Sequence, residues 1–557
     1  MTGLLRATTV ATLLLHLLLL PAPRPAPGAE PAYLAELLAH ADRLGLANSP
    51  GWHALLHYRP GRFGQAPKSE ADAPEFFLAA TGAADPNAEL AATLRSFFAP
   101  ADATGRNGEH PQCTFIARYR WLRETLGFAT DRLTERPCAK FDEWRTAIAP
   151  ASVTLVFPEA YMNNPSSMFG HTLLRFDTVA GGQRRDLLAY ASNFAASTAD
   201  DGAIAFAWKG IFGYYPGLFS LMPYYEKVRE YADWEQRDLW EYELDLTPAE
   251  TERLLEHLWE IRGINFFYYF FDENCSYRIL RVLEVARPSL QLSSRFPWWA
   301  IPADTVRAVA GDAGLVRGVS FRPSATTELR HLANHLEPSE RHLALRVASG
   351  ARAPDSAEVA ALPDRTRAAV LTVAHDIVRH TYVAGGEQRD PALGRARAIL
   401  LARSKIPAHG GEVPRVPRPA QRPDQGHGSA RVALGGGIRA ARPFAEIGAR
   451  PAFHDLLDPE GGYTAGAQID FLQPTVRIYG DDAQVRLQRL AILDIISLAP
   501  RDDMFRPISW RFDTNVLSLL VPGRGDSGVR GLADRYVWRS HGGAGLARRA
   551  PFGGLAY

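Results

Sequence analysis

Residues 270–277 read FFDENCSY and place Cys275 at the junction between an apolar stretch and a predicted helix. Ile279, Leu280 and Leu283 follow with the spacing of a buried helix face. At a helix start, exposed N–H groups and the helix dipole lower the pKa of a thiol. The junction therefore predicts a reactive cysteine.

The N-terminal segment predicts that the chain is exported. Residues 1–29 carry Arg6, an apolar run from Val10 to Leu20, and then small residues and prolines up to Ala29. This is the pattern of a secretory signal cleaved near Ala29. The run is too short to span a bilayer comfortably. In an oxidising compartment, an unpaired cysteine is either deeply buried or used.

Cys113 and Cys138 are the other two cysteines, and both lie in a region of helical pattern. A disulfide between them would close a loop of about 25 residues and add roughly 3 kcal/mol in the loop-entropy model. The alternative is two buried free thiols. Cys275 is left without an obvious partner in either case.

Composition is that of an ordinary globular protein. The chain of 557 residues is 46% hydrophobic and 22% charged, with a net charge of +1. We find no argument for nucleic acid, no phosphate-binding loop and no cofactor. The predicted organisation is a signal peptide (1–29), a helical domain (30–150), an α+β domain (151–310), a helical region (311–403), a Pro-rich linker (404–428) and a β-rich region (429–557).

The overall prediction is an α+β protein. Three strands are predicted at Val153–Phe157, His171–Phe176 and Leu187–Phe194, with Gly181-Gly182 as the hairpin turn between the last two. Thr247 and Glu250 form a capping box at the start of a later helix. Residues 429–557 alternate with period two, which fits an antiparallel sheet and also a portion of an outer-membrane barrel.

His171 is the best-placed candidate base for Cys275. It follows Gly170 at the predicted start of a strand, and the paired strand carries Asn193, which could hold the second imidazole nitrogen. A cysteine at a helix start, a histidine on an adjacent strand and a polar orienting residue form the papain-like arrangement. The imidazole would take the thiol proton.

Other site chemistries fit less well. His331 and His335 have i, i+4 spacing, but no acidic third ligand stands in register, so a solvated helix face is preferred and no metal site is predicted. Ser166 and Ser167 precede His171 without a Gly-x-Ser-x-Gly elbow, which argues against a serine hydrolase.

Several motifs in residues 150–310 together resemble a known family. They are Asn163-Asn164-Pro-x-Ser167-Met-Phe-Gly-His171, Leu188-Ala-Tyr-Ala-x-Asn193, Lys209-Gly-Ile-Phe-Gly-x-Tyr-Pro-Gly217, Tyr224-Tyr225, Glu235-x-Arg237-Asp238-Leu-Trp-Glu-Tyr and Asn274-Cys275-Ser-Tyr. The order of the two residues in the chain, with the histidine before the cysteine, resembles that of the circularly permuted NlpC/P60-type thiol enzymes. The motifs more closely resemble the DUF4105 family, the periplasmic domain of the lipoprotein N-acyltransferase Lnb. In Lnb membrane helices follow this domain, whereas here a β-rich region follows.

The resemblance implies an acyl-thioester mechanism on a papain-like fold. Cys275 would take an acyl group from a phospholipid and pass it to a lipoprotein amine, with His171 as base and then acid. Backbone N–H groups at Cys275 would stabilise the oxyanion, with Asn163, Asn164 and Asn274 as support. The expected location is the periplasm at a membrane surface, with outer-membrane association through the β-rich region. The alternatives are an NlpC/P60-like peptidase or amidase and a non-catalytic outer-membrane envelope protein.

Overall fold

The computed structural model describes residues 31–61, 65–162, 167–198, 202–383, 389–407, 415–480, 483–524, 530–550 and 555–557. The predicted signal peptide, Asn163 and Asn164 lie outside these residues. The chain forms two compact units. One comprises the described residues among 31–53, 59–68 and 77–138, and the other the described residues among 54–58, 69–76 and 139–557.

Residues 31–138 are mainly helical. They contain α1 (Ala32–Arg43), α2 (Pro50–Leu55), α3 (Pro86–Phe97), α4 (Pro111–Thr114), α5 (Ile116–Leu126) and the short strands β1 (Tyr58–Arg59) and β2 (Lys68–Ser69). Asp85 caps α3 by accepting from the N–H groups of Asn87 and Ala88. The predicted Cys113–Cys138 disulfide is confirmed, with the two Cα atoms 5.3 Å apart.

A seven-stranded antiparallel sheet forms the centre of the second unit. Its strands lie in the order β10-β8-β7-β4-β3-β9-β11. They are β3 (Ser152–Pro158), β4 (Leu173–Asp177), β7 (Tyr190–Ala196), β8 (Tyr215–Pro223), β9 (Leu239–Leu244), β10 (Phe266–Tyr268) and β11 (Val316–Arg322). A small hairpin, β5 (Val179–Ala180) with β6 (Gln183–Arg184), turns at Gly181-Gly182, where both glycines have positive φ. The glycine turn was predicted.

Helices cover this sheet. They are α6 (Ala139–Ile148), α7 (Ala203–Ile211), α8 (Tyr224–Val228), α9 (Pro248–Glu260), α10 (Cys275–Ala286) and α11 (Pro302–Ala310). The predicted capping box of α9 is present, since Thr247 Oγ1 accepts from the N–H of Glu250 and the Glu250 carboxylate accepts from the N–H of Thr247. Helix α10 packs against β4 and β7, the two middle strands.

Three details differ from the sequence predictions. The strand after Gly170 begins at Leu173, so His171 lies in the segment that leads into β4. The next long strand begins at Tyr190 because residues 186–188 form a 3₁₀ turn. The region 311–403 is not wholly helical, because residues 316–322 pair with β9 and extend the central sheet.

Residues beyond β11 form a helical layer and a second sheet. The helices are α12 (Ala325–Asn334), α13 (Pro338–Ala348), α14 (Ala357–Ala360), α15 (Asp364–Val383) and α16 (Arg389–Ser404). The second sheet has the order β12-β13-β15-β16-β17-β18, with β14 also paired to β15. Its strands, followed by the pair β19–β20, are β12 (Arg431–Arg439), β13 (Arg442–Arg450), β14 (Ala452–His454), β15 (Ala467–Tyr479), β16 (Val485–Ser497), β17 (Ser509–Arg524), β18 (Arg530–Gly545), β19 (Arg548–Arg549) and β20 (Leu555–Ala556).

Apolar and charged residues alternate along the strands of this second sheet, as predicted, but the apolar face is the exposed one. Val432, Leu434 and Ile438 share one face of β12 and are each more than 70% exposed. The other face carries ion pairs between neighbouring strands, such as Glu446 with Arg477 at 2.6 Å. No helix within the described ranges is long and apolar enough to cross a membrane.

Candidate functional site

Cys275 is the first residue of α10, as the sequence predicted, and its side chain is buried. Asn274 is the N-cap, and its Oδ1 accepts from the N–H groups of Ser276 (3.1 Å) and Tyr277 (3.2 Å). Its Nδ2 donates to the carbonyls of Phe270 and Ala300. Since the Asn274 side chain is fully engaged, its role is to hold the helix start rather than to face an oxyanion.

Three polar groups lie near the sulfur of Cys275 and lower the pKa of its thiol. They are the N–H of Thr172, the residue after His171, the hydroxyl of Tyr268 and the N–H of Ser276. The N–H of Cys275 has no partner within its own helix, because it occupies the first helical position, and it lies near the Tyr268 hydroxyl. These contacts place Tyr268 and the chain at His171 directly against the thiol.

Burial raises the pKa of the Cys275 thiol, and the hydrogen bonds from Thr172, Tyr268 and Ser276 only partly oppose this. The sequence predicted the opposite, a thiol acidified by the helix N-terminus. Full burial removes the water that would solvate a thiolate, and this cost outweighs the helix-end N–H groups. The resting group is therefore a neutral thiol.

His171 and Asn193 form a short hydrogen bond, with Nε2 and Oδ1 2.6 Å apart. The amide oxygen can only accept, so Nε2 carries the proton and Nδ1 of the neutral ring is the basic nitrogen. Burial, together with the charges of Arg237 and Lys227, lowers the pKa of His171 to about 3 despite the bond to Asn193. The imidazole is neutral at physiological pH.

Gly170 shapes the chain in front of His171. It has φ +91°, and a Cβ atom built on it would lie 2.5 Å from the Phe157 ring on β3. Only glycine suits this backbone conformation and this close approach. The residue therefore fixes how the chain turns from the preceding loop into the segment that carries His171.

Arg237 supplies a buried positive charge near the site. Its guanidinium binds the carbonyls of Pro158 and Glu159 and the Glu235 carboxylate at 2.7 Å, and it lies over the Tyr231 ring. The acidic partner of Arg237 is therefore Glu235, two residues before it in the chain. This charge lowers the pKa of both His171 and Cys275.

A buried carboxylate fixes the helix that carries the thiol. Glu70 accepts from Arg278 at 3.0 Å and Arg281 at 3.2 Å, and from the Tyr277 hydroxyl at 2.7 Å. All three donors lie on α10, and the Glu70 side chain is nearly inaccessible to solvent. The opposite charges compensate one another where neither could be solvated.

The second sheet packs against both segments that carry the candidate residues. Phe271 stacks on Phe471 of β15, with centroids 3.7 Å apart, and Phe169 meets Phe453 of β14 edge-on at 5.3 Å. Phe271 precedes Cys275 by four residues, and Phe169 precedes His171 by two. The C-terminal region thereby supports both sides of the site.

The structure thus brings His171 and Asn193 into contact and places the Thr172 N–H near the Cys275 sulfur. Asn163 and Asn164 lie outside the described residues, so their predicted role stays a prediction. Sequence reasoning missed Tyr268, the N–H of Thr172, Arg237 as a nearby charge, and Glu70. Tyr268 lies in the aromatic run before Cys275, which was treated only as apolar, whereas Glu70 is 205 positions from Cys275 and gave no signal.

A buried thiol at a helix start, beside a histidine bonded to an asparagine, has the groups of a cysteine-dependent acyl-transfer site. Residues 140–311 match the family model of the Lnb N-terminal periplasmic domain. This match supports the predicted resemblance to Lnb, and with it an Lnb-like envelope protein in the periplasm. It does not test the DUF4105 and NlpC/P60 comparisons, which stay predictions.

Three domains of unknown function match the rest of the chain. They are DUF7843 at residues 44–125, DUF7842 at 319–414 and DUF7840 at 420–557. Neither the curated proteins nor the solved structures gave a match.

Proposed function

We propose that this protein is a cysteine-dependent acyltransferase of the cell envelope, with a phospholipid as acyl donor and a lipoprotein N-terminus as acceptor. The observation that carries the proposal is the hydrogen bond between His171 and Asn193, in a segment whose next residue, Thr172, has its N–H near the Cys275 thiol. The match of residues 140–311 to the Lnb periplasmic domain supports this choice of substrates.

In the first half-reaction, His171 Nδ1 takes the thiol proton as the Cys275 sulfur attacks an ester carbonyl of the phospholipid. The tetrahedral intermediate then collapses, the carbon–oxygen bond to the glycerol breaks, and His171 returns the proton to that oxygen. A lysophospholipid leaves and a thioester remains on Cys275. In the second half-reaction, the lipoprotein's α-amine attacks the thioester, an amide forms and the carbon–sulfur bond breaks, while His171 takes the proton from the amine and gives it to the Cys275 sulfur, which restores the thiol.

Tyr268 and the N–H of Cys275 are the proposed oxyanion donors. Both groups lie next to the sulfur that would attack the ester carbonyl. A preorganised donor of this kind typically contributes about 10²–10³ in rate. Asn274 contributes indirectly by capping α10 and orienting this N–H group.

The resting pair is a neutral thiol and a neutral imidazole, because burial raises the pKa of Cys275 and lowers that of His171. Proton transfer therefore accompanies the attack instead of preceding it. A neutral thiol and imidazole suit a site that binds an apolar substrate. A thiolate–imidazolium pair in such a site would lose the solvation that water gives it.

Exposed aromatic side chains support a membrane-borne substrate. Trp208, Phe212 and Tyr214 are 61%, 50% and 66% exposed and follow one another along α7 and its C-terminal turn. The same segment packs on the residues just before Cys275. Gly210 lies against the Phe270 ring, and the Gly210 carbonyl accepts a hydrogen bond from the Phe270 N–H at 2.9 Å. Tryptophan and tyrosine concentrate at membrane interfaces.

The second sheet supports the predicted association with a membrane. On three successive strands, Leu434, Ile447 and Ile478 belong to one apolar, exposed face, while Glu446 and Arg477 pair on the other face. A water-facing sheet would carry charges outward instead. A hydrocarbon environment for the apolar face explains the arrangement.

The test of the proposal is to trap the thioester and to analyse lipoprotein N-termini. Because Cys113 and Cys138 are disulfide-bonded, Cys275 is the one free thiol of the chain. Incubation with phospholipid vesicles is expected to add one acyl mass to the peptide containing Cys275, which neutral hydroxylamine removes. Cys275→Ser should lose both this adduct and N-acylation of a co-expressed lipoprotein.

Lys140→Gln, an exposed change on α6, serves as a control and should retain both signals. If intact Cys275 gives no acyl adduct while wall peptides are cleaved in a Cys275-dependent manner, the protein is a thiol peptidase instead. If Cys275→Ser matches the wild type in every assay, the enzymatic proposal is wrong.

A further inference from the structure

Three metal-ligating side chains converge away from the thiol site. His427 lies before β12, His454 ends β14, and Asp458 follows in the next turn. The Nε2 atom of His427 is 2.8 Å from Nδ1 of His454. Oδ2 of Asp458 is 3.7 Å from the first nitrogen and 3.9 Å from the second.

These distances fit a metal ion. A triangle with sides of 2.8, 3.7 and 3.9 Å has a circumradius of about 2.0 Å, so one point in its plane lies that far from all three donor atoms. Zinc binds imidazole nitrogen at about 2.0–2.1 Å and carboxylate oxygen at about 2.0–2.2 Å. The donor atoms thus have the spacing of a coordination site before any ion enters.

Each ligand is oriented by a second contact. Nδ1 of His427 donates to the carbonyl of Gly428 at 2.7 Å, which leaves its Nε2 as the basic nitrogen. The Tyr463 ring stacks on both imidazoles, with centroids 4.3 and 4.5 Å away, and limits their rotation.

Asp458 is held by Arg431 through Oδ1 at 2.9 Å, and by Arg450 through Oδ2 at 2.6 Å. The N–H of Asp455 also donates to Oδ2. A carboxylate has about four acceptor positions, two on each oxygen, so these three donors orient Asp458, and a cation at Oδ2 would replace one of the two hydrogen bonds that this oxygen accepts.

The surrounding charge also favours a cation. Asp455, Asp458 and Asp470 lie around the two guanidinium groups of Arg431 and Arg450, which leaves one carboxylate in excess. Oδ1 of Asp470 is buried and accepts no hydrogen bond from the described residues. Burial raises the pKa of Asp470 to about 7, so the surplus at neutral pH is less than one full negative charge, and a divalent ion would balance what remains.

We propose that His427, His454 and Asp458 bind a divalent transition metal, with zinc as the preferred ion. Two imidazole nitrogens and a carboxylate are suited to zinc, and solvent completes the coordination. The sequence analysis predicted no metal ligand, because 27 residues separate the two histidines and their contact arises from the tertiary fold.

The metal site would hold the second sheet against α11 and the segment near His171. The carbonyl of His427 accepts from Arg307 of α11 at 2.6 Å, and Ser429 bonds to Asp304 of the same helix. Phe453, next to His454, packs on Phe169 near His171. A metal at this point ties the linker, β14 and the turn after it into one anchored unit.

The test uses the full chain, purified without a histidine tag, stripped with a chelator and reloaded with zinc or cobalt(II). We expect about one zinc per chain by elemental analysis, a visible cobalt spectrum, and a higher thermal midpoint with zinc. His454→Gln and Asp458→Asn should each weaken zinc binding by more than about tenfold. The paired variant His331→Gln/His335→Gln is the matched control and should bind as the wild type does.

Two further variants keep the result decisive. His427→Gln, at a half-buried position, replaces His454→Gln if that protein does not fold. Cys275→Ser should bind zinc normally, which separates this site from the proposed acyltransferase chemistry. Absence of stoichiometric zinc in the wild type, or unchanged affinity in both the His427 and Asp458 variants, would overturn the proposal.

Discussion

His171 donates a 2.6 Å hydrogen bond from Nε2 to Oδ1 of Asn193. The bond joins the segment before β4 to the middle of β7, and the antiparallel register that pairs Leu173 with Asn193 makes it possible. It also determines the tautomer, because an amide oxygen accepts only from a protonated ring nitrogen. The basic Nδ1 nitrogen is thereby kept available for a proton.

Asn193→Ala should slow acyl transfer without preventing folding. As His171 becomes an imidazolium, the bond to Asn193 becomes charge-assisted, and its loss should cost about 1.5–3 kcal/mol, or roughly 10–150-fold in rate. Steady-state transfer kinetics measure the effect. Ser192→Ala is the matched control, because Ser192 is the adjacent buried residue on the opposite face of β7. Equal rates for the two variants would contradict the role of Asn193.

Tyr268→Phe should affect both rate and thiol acidity. The ring and its stacking on Phe194 remain, but the hydroxyl that lowers the pKa of the Cys275 thiol is lost. We expect about 10²–10³-fold slower acylation and a higher apparent pKa in the pH profile of Cys275 alkylation. Tyr269→Phe controls for the substitution itself. An unchanged alkylation profile in Tyr268→Phe would show that the hydroxyl does not act on the thiol.

Gly170→Ala should displace His171. The added methyl group would clash with the Phe157 ring, and the positive φ would lower the free energy of unfolding by about a further 1–2 kcal/mol. Gly181→Ala is a matched control, since Gly181 also has positive φ but nothing within 4 Å of its Cβ position. Chemical denaturation of both variants separates backbone strain from the clash. Equal losses of stability would mean that the Phe157 contact is unimportant.

The pH dependence of stability should report on His171. Burial lowers its pKa to about 3 from 6.5, so below pH 6.5 the unfolded chain takes up a proton that the folded chain resists until about pH 3. Stability contributed by the neutral ring is thus present above pH 6.5 and is lost as the pH falls, by up to about 1.4 kcal/mol per pH unit.

His171→Gln should therefore lose less stability than the wild type between pH 6 and pH 5. The thermal midpoint of both proteins at the two pH values measures the difference, and other titrating groups cancel in the comparison. Parallel losses in the two proteins would place the ring in a solvated environment, contrary to its burial.

Glu70→Ala should destabilise the second unit strongly. It removes the carboxylate that Arg278 and Arg281 share and leaves Arg278 with Glu273 and Arg281 with Glu284, and breaking a buried pair costs about 3–5 kcal/mol. Denaturant midpoints measure the loss. Glu36→Ala, which removes an exposed partner of Arg132, is the control and should leave the midpoint nearly unchanged. A small effect at Glu70 would mean that the arginines find other acceptors.

Local patterns in the sequence predicted much of this fold. The helix start at Cys275, the capping box of Thr247 and Glu250, the glycine turn at Gly181-Gly182 and the Cys113–Cys138 disulfide all depend on short stretches of chain. Each is decided by backbone preferences or residue type, which operate over a few positions. The pairing of His171 with Asn193 could also be predicted, because two neighbouring antiparallel strands bring these residues together.

The remaining features depended on distant contacts. The acidity of Cys275 was predicted with the wrong sign because the helix end is visible in the sequence, whereas full burial is not. Glu70, Arg237 and the cluster at His427 and His454 likewise come from segments far apart in the chain. The sequence by itself determined which residues could do chemistry and where their helices and turns begin. Only the tertiary structure decided their solvation, charge and partners, because desolvation and ion pairing depend on the groups that folding brings around each side chain.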